Sequence, residues 1–128
     1  MLGQYSHGNE PCHHVAYLYA VAGAQYKTAL RVHQIALLHY DNTPEGNCGN
    51  DDCSQMSAWY VWSALGIYPL NPASGKYVIG SPLVEKAIIK LDRKFYPGGT
   101  FTIVAHNASS QNIYIQSAKL NGQPLNRP

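Results

Sequence analysis

The hydrophobic period of this 128-residue chain changes once, close to Gly66. Before Gly66, apolar residues recur at the three-to-four-residue spacing of a helix face. Beyond it they alternate with polar ones, as on a half-buried strand. A helix-period pattern does not settle as a strand, nor the reverse. The order of the two patterns points to an α+β chain, with helices first and strands after them.

Within the first part, Pro11 suits a first helical position, where its missing N–H costs nothing. A largely apolar and aromatic helix is expected from Pro11 to Ala22, with Gly23 as its C-terminal cap. A second is expected from about Gln25 to His39. Leu30, Ile35, Leu37 and Leu38 supply its apolar faces, with Lys27, Arg31 and Gln34 interleaved. Tyr40 to Asn50, with Pro44, Gly46 and Gly49, reads as a loop. A third helix runs from about Cys53 to Leu65 and stops at Gly66, with Met56, Trp59, Tyr60 and Ala64 on one face.

The strand part opens with a turn-rich connector, Tyr68 to Gly75. Tyr77 to Ile79, Val84 to Leu91 and the alternating run Phe101, Ile103, Ala105 are strand candidates, and Pro97-Gly98-Gly99 is a turn. Ile113 and Ile115 continue the period-2 pattern. Asn121-Gly122 is a hairpin signal. The expected organisation is a helical segment over 1–66, a connector over 67–76 and a strand region over 77–128. Three largely apolar helices need partners on several faces, and the helical segment alone is too small to supply them. The chain therefore reads either as a small α+β domain or as the C-terminal part of something larger.

Charged residues make up 12% of the chain, about half the usual ~25%, and the net charge is +2. This excludes a disordered charged tail and gives no electrostatic footprint for nucleic acid. No apolar run approaches the ~18–20 residues of a membrane-spanning helix, so neither nucleic acid nor membrane is an expected partner. Three cysteines cannot all pair, which excludes a disulfide scaffold. The charge is uneven: residues 1–66 hold five acids and two bases, residues 67–128 two acids and seven bases.

Two polar clusters interrupt the apolar pattern. The first is His7-Gly8-Asn9-Glu10-Pro11-Cys12-His13-His14, on a turn entering a helix, where N–H groups also point outward. A ligand suits such a place. So does a plain structural role, with Asn9 or Glu10 capping the helix and His13 and His14 as ordinary surface or core residues. A zinc set is disfavoured, because adjacent helical side chains diverge by about 100°. The second cluster is Gly46-Asn47-Cys48-Gly49-Asn50-Asp51-Asp52-Cys53-Ser54-Gln55. Asp52 with Gln55 three residues later has the form of a capping box. Asp51 and Asp52 can also face a cleft, and a helix N-terminus keeps an Asp ionised, as a general base must be. They cannot be an acid and a base across one sugar linkage, because those carboxyls stand roughly 6.5–9.5 Å apart in inverting enzymes. Cys48 and Cys53 are open to a local disulfide or to remaining free thiols. Asn107-Ala108-Ser109 matches a glycosylation acceptor.

Three blocks together resemble a known family. They are His7-Gly-Asn-Glu-Pro-Cys-His-His-Val-Ala-Tyr-Leu-Tyr19, Gly49-Asn-Asp-Asp-Cys-Ser-Gln-Met-Ser-Ala-Trp-Tyr-Val-Trp-Ser-Ala-Leu-Gly-Ile-Tyr-Pro69 and Asn71-Pro-Ala-Ser-Gly-Lys-Tyr-Val-Ile-Gly-Ser-Pro82. In this order they resemble the C-terminal region of the calcium-dependent exo-α-mannosidases of glycoside hydrolase family 92. The resemblance implies a β-sandwich domain followed by an (α/α)6 barrel. This chain would supply the last barrel helices and the C-terminal strands of a sheet, as a fragment of a larger enzyme. The implied reaction is inverting hydrolysis of terminal α-mannosides, often α-1,2-linked, with an α-mannoside or N-glycan-type oligosaccharide as substrate. Calcium is the implied cofactor, binding hydroxyls of the terminal sugar and helping to distort its ring.

The resemblance also implies roles for residues. The family's base carboxylates fall in the block matching Asn50-Asp51-Asp52. Asp52 takes the water-activating role, supported by Asp51 or Asn50. Asn9, Glu10, His13 and His14 line the sugar subsites and approach the calcium, whose ligands stay unassigned. The family's general acid is a Glu in a separate upstream motif that these 128 residues lack. The chain is expected to carry the base half of a site, to be inactive alone, and to need the upstream part of the parent enzyme as its partner. Two other readings stand beside this one: a non-catalytic carbohydrate- or calcium-binding module, and an interaction fragment that associates through its apolar helix faces. The compartment is not encoded here, and a periplasmic or secreted parent enzyme is compatible with the family.

Overall fold

The structure is a computed structural model and describes residues 3–126. The outermost residues of the expected helical and strand segments, 1–2 and 127–128, lie outside the described residues. Two 3₁₀ turns, Glu10–Cys12 and Val15–Tyr17, lead into helix α1 (Leu18–Val21), followed by α2 (Gln25–His39) and α3 (Gln55–Leu65). Strands β1 (Ile67–Asn71), β2 (Lys76–Ile79), β3 (Lys86–Lys90), β4 (Thr100–Val104), β5 (Lys119–Leu120) and β6 (Gln123–Pro124) complete the chain. Helices precede strands, as the change of period requires.

The first helix differs from expectation. Instead of one helix from Pro11 to Ala22, the segment breaks into two 3₁₀ turns and a single α-turn. The reason lies in where its backbone groups bond. In a continuous helix the His13 carbonyl would accept from the Tyr17 N–H. Here it accepts from the indole Nε1–H of Trp59 at 3.1 Å, and the Tyr17 N–H turns to His14 O at 3.0 Å. The Ala20 N–H goes sideways to Thr28 Oγ1 at 3.0 Å. Tertiary partners on α2 and α3 thus outcompete the helical ladder, and 3₁₀ geometry takes up the difference.

Helix α2 has its expected bounds but a different buried face. Thr28, Ala29, Val32, Ile35 and Ala36 are buried, at i, i+1, i+4, i+7 and i+8. Leu37 and Leu38, expected to supply apolar faces, are 70% and 66% exposed. Nothing else among the described residues covers them. Helix α3 buries Met56, Trp59 and Ser63, while Tyr60, from the expected face, stays exposed. The core joins Ala16, Tyr17, Val32, Ile35, Trp59 and Tyr68. Tyr17 stacks on Tyr68 with centroids 4.3 Å apart, and its hydroxyl meets Ser63 Oγ at 2.7 Å. A fully buried phenol is tolerable because its polar tip is bonded. Truncating such a ring costs about 3–5 kcal/mol.

The strands form three separate two-stranded antiparallel ladders, β1–β2, β3–β4 and β5–β6. Residues 67–76, read as a connector, carry β1 and the 3₁₀ turn Pro72–Ser74. In β3–β4, Ala87 pairs with Ile103 and Ile89 with Phe101. Asn121 and Gly122 both have positive φ, the form a two-residue hairpin needs, and they join β5 to β6. Ile113 and Ile115 form no strand. The Ile113 carbonyl accepts instead from the hydroxyl of Ser81, which in turn accepts from His33 Nε2 at 3.0 Å. A side-chain bridge to α2 replaces a ladder there.

Gly66 ends α3 with φ +78°, and a Cβ there would collide with the Pro82 ring. Gly75 has φ +64° with open space around it. Gly75→Ala is expected to cost about 1 kcal/mol from backbone conformation alone. Gly66→Ala should add an overpacking cost of about 1–3 kcal/mol. Urea unfolding of the two variants checks the difference, and equal losses would contradict this account.

Candidate active site

The two polar clusters of the sequence meet in space. Gly8 and Gly49 lie backbone against backbone. A Cβ on Gly49 would stand 3.1 Å from Gly8 Cα, and one on Gly8 would stand 3.1 Å from the Cys48 carbonyl oxygen. A side chain at either position would crowd the opposing backbone, which would have to give by a few tenths of an ångström.

Behind the glycines lies a buried hydrogen-bond relay. His7 is 2% exposed. The Tyr40 hydroxyl donates its one proton to the Met56 carbonyl at 3.0 Å, so at 2.7 Å it must accept from His7 Nε2. The His7 Nδ1 is left to accept from the Tyr5 hydroxyl at 2.8 Å. The ring packs on His13 at 4.6 Å and edge-on against Trp59 at 4.4 Å. Burial first, and the neighbouring His13 and His39 next, push its pKa down to about 3, so the ring is neutral. His13 is 1% exposed; its Nε2–H donates to His7 O at 3.0 Å, and its Nδ1 is 3.4 Å from Gln55 Nε2. Burial also lowers its pKa.

The turn before α3 is strained. Asp52, Cys53 and Ser54 have φ of 47°, 56° and 72°, three consecutive left-handed residues without a glycine. Each costs roughly 1–2 kcal/mol, and such strain persists only where the surroundings enforce it. The expected capping box between Asp52 and Gln55 does not form, because the left-handed turn carries Asp52 out of the capping position. Asp51 caps instead. Its Oδ1 accepts from Ser57 Oγ at 2.7 Å, Ser57 N–H at 2.9 Å and Asn47 Nδ2 at 3.3 Å. These bonds, the Ser57 hydroxyl foremost, hold its carboxyl below the usual range. The Met56 N–H donates to Asp51 O, and the Asp52 N–H to Asn50 Oδ1 at 2.9 Å.

Asp52 is thereby turned toward Glu10. Hydrogen bonding to the Glu10 carboxyl, then desolvation and charge repulsion, raise its pKa. The expected site residues therefore separate. Glu10 and Asp52 lie close enough for the Glu10 carboxyl to raise the pKa of Asp52. Asn50 holds the Asp52 backbone. Asp51 is spent on the helix end. His13 lies beneath the pair in the buried relay. Asn9 and His14 are exposed, with Asn9 reaching only Cys12 Sγ at 3.8 Å. Sequence spacing gave Gln55 a capping role and set Trp59 on an apolar helix face, and it did not single out Tyr40 or Ser57; that these four hold the turns together rests on tertiary contacts that nothing local marks. Cys12, Cys48 and Cys53 are free thiols. Among the described residues no three His, Cys, Asp or Glu side chains converge. A calcium shell takes six to eight oxygens, so these residues do not by themselves build one. No helix among them is long and apolar enough to cross a membrane.

His7, His13, His33 and His39 are all held by burial below the ordinary imidazole value of 6.5. Each binds a proton less readily folded than unfolded. Their stabilising contribution is complete above 6.5 and is lost as pH falls through the folded values, to about 3 for His7. The melting temperature is expected to fall as pH is lowered across this window. His7→Gln should flatten the slope, and an unchanged slope would show that His7 does not contribute.

All 128 residues match the family model for the glycosyl hydrolase family 92 catalytic domain. An uncharacterized secreted glycosidase of Arthroderma benhamiae is 35% identical over 124 residues, covering 94% of this chain and 15% of that protein. A family GH92 alpha-mannosidase from Bacteroides thetaiotaomicron is 41% identical with a TM-score of 0.88, over 98% of this chain and 16% of that one. It is also known in complex with mannoimidazole, matched over 97% of this chain. A family GH92 inverting mannosidase from Bacteroides thetaiotaomicron VPI-5482 is 40% identical with a TM-score of 0.83, over 97% of this chain and 16% of its own. The chain thus spans about one sixth of the length of these relatives. It belongs to glycoside hydrolase family 92.

Proposed function

We propose that this chain supplies the base-bearing part of an inverting exo-α-mannosidase site, completed by the rest of a family 92 catalytic domain. The observation that carries this reading is the asymmetry of Asp51 and Asp52. Asp51 has its Oδ1 saturated by three donors, which makes it a poor base and a good anchor. Asp52 has a raised pKa and stands on a strained turn beside Glu10. A carboxylate with a raised pKa is the stronger proton acceptor. Asp52 is therefore the group that takes a proton from the attacking water, and Asp51 and Asn50 fix its position. Glu10 is too near Asp52 to be the opposing acid, since inversion needs roughly 6.5–9.5 Å between the two carboxyls. The acid comes from outside these residues.

The substrate class follows from the mannosidase relatives and the mannoimidazole complex of one of them. Terminal α-mannosides, as in N-glycan-type oligosaccharides, are the proposed substrates. The last helices of an (α/α)6 barrel are the proposed setting of α1 to α3, and the exposed Leu37 and Leu38 of α2 support it as faces awaiting cover. The secreted relative supports a secreted or periplasmic location. Calcium is proposed on the family resemblance alone. Its ligands would come largely from beyond the described residues, and no step is assigned to it.

Hydrolysis of an aryl α-mannoside tests the reading, with this chain alone and with the chain joined to the remainder of a family 92 domain. Turnover is expected only in the joined form, with inverted mannose as product. Asp52→Asn should then lower kcat by about 10²–10⁴-fold, and Asp51→Asn should lower thermal stability as well as rate. Turnover by the isolated chain, or a fully active Asp52→Asn enzyme, would overturn the assignment. Mannose binding by the chain without turnover in the joined form would favour a binding module.

A further inference from the structure

We propose that His7 is a positioning residue for the base-bearing turn: as an uncharged ring accepting from Tyr5 and donating to Tyr40, it fixes where Asp52 stands relative to Glu10. This inference rests on the role given to Asp52 above.

The bonds run without a gap from one turn to the other. Tyr5 donates to His7 Nδ1, His7 Nε2–H donates to Tyr40, and Tyr40 donates to the Met56 carbonyl. The Met56 N–H then donates to the carbonyl of Asp51, the residue before Asp52. On the other side, His7 O accepts from the His13 ring, and His13 O accepts from Trp59 on α3. His13 lies three residues after Glu10 and closes the same 3₁₀ turn, its N–H donating to Glu10 O at 3.0 Å. One residue therefore ties both carboxyl-bearing turns, by its ring toward Tyr40 and α3 and by its backbone carbonyl toward His13.

The polarity of the relay is fixed. A carbonyl can only accept, so Tyr40 has no proton to give His7. A His7 ring protonated on both nitrogens would lose the Tyr5 donor bond and would place a charge beside His13 and His39. Among the described residues the groups facing it are Tyr5, Tyr40, His13, His39 and the Trp59 indole, and none of them carries a carboxylate. A ring with one donor and one acceptor, and no counter-charge in reach, is suited to geometry rather than to proton transfer. Neither Glu10 nor Asp52 is among the groups that act on the His7 ring, so it acts only through the turns.

Two measurements test this. In the 128-residue chain, ¹⁵N NMR should show His7 as the neutral Nε2–H tautomer well below pH 6.5. An Nδ1–H tautomer, or titration near the ordinary value, would overturn the relay. The second measurement uses the Bacteroides thetaiotaomicron family 92 α-mannosidase with this chain in place of its matching segment. His7→Leu should lower kcat by about 10²-fold with KM little changed, the usual size of a small misplacement. His7→Gln keeps a donor for Tyr40 and should recover about tenfold of that loss. Tyr40→Phe, which keeps the packing, should reproduce the leucine result even if the leucine variant fails to fold. Full activity in Tyr40→Phe, or a loss confined to KM, would overturn the proposal. If the unmutated hybrid is inactive, the mannosidase reading fails, and the NMR result alone decides the state of His7.

Discussion

A buried imidazole needs a donor for one nitrogen and an acceptor for the other, and an unmet need costs about 1–3 kcal/mol. His7 meets both needs through two tyrosines from different parts of the chain. That requirement has consequences well beyond the ring. It draws the loop residue Tyr40 onto the first turn of α3, and it holds the His7 backbone where His13 can reach it. Trp59 fills the space beneath and bonds the His13 carbonyl. The cost to the first helix is visible, since its carbonyls and amides are diverted and it breaks into 3₁₀ turns.

The same network explains how a strained turn persists. Three left-handed residues in a row would relax if their neighbours allowed it. Asp51 prevents this by accepting three donors, and Met56 prevents it by using both of its backbone groups. The turn is rigid at Asp51 and open at Asp52. Two adjacent residues of one type therefore have opposite electrostatics, one carboxyl held below the usual range and one above it. Division of labour between neighbouring carboxyls is set by environment rather than by residue type.

The apolar faces bear on the size of the functional unit. Val21, Leu37, Leu38 and Val61 are each more than half exposed, on three different helices. Scattered apolar residues need no explanation, but helix faces of this kind belong against other helices. This agrees with a chain that corresponds to about one sixth of its relatives. The core it does contain is built around aromatic rings, with Tyr17, Trp59 and Tyr68 at its centre.

Much of this was legible in the sequence. The change of period placed helices before strands. The bounds of α2, the stop of α3 at Gly66 and the Asn121-Gly122 hairpin all rest on local signals, namely spacing, caps and turn chemistry. The first two of the three family blocks carry the turns that meet at Gly8 and Gly49. The sequence alone could not tell Asp51 from Asp52, because a capping pattern is a statement about spacing and the backbone here leaves the right-handed region. Nor could it show that His7 and His13 are buried structural rings, or that Tyr40 and Trp59 serve them. Those partners are 33 and 46 residues away. Contacts at that separation are set by tertiary packing, and packing alone decided which of the two adjacent carboxyls is tied up by donors.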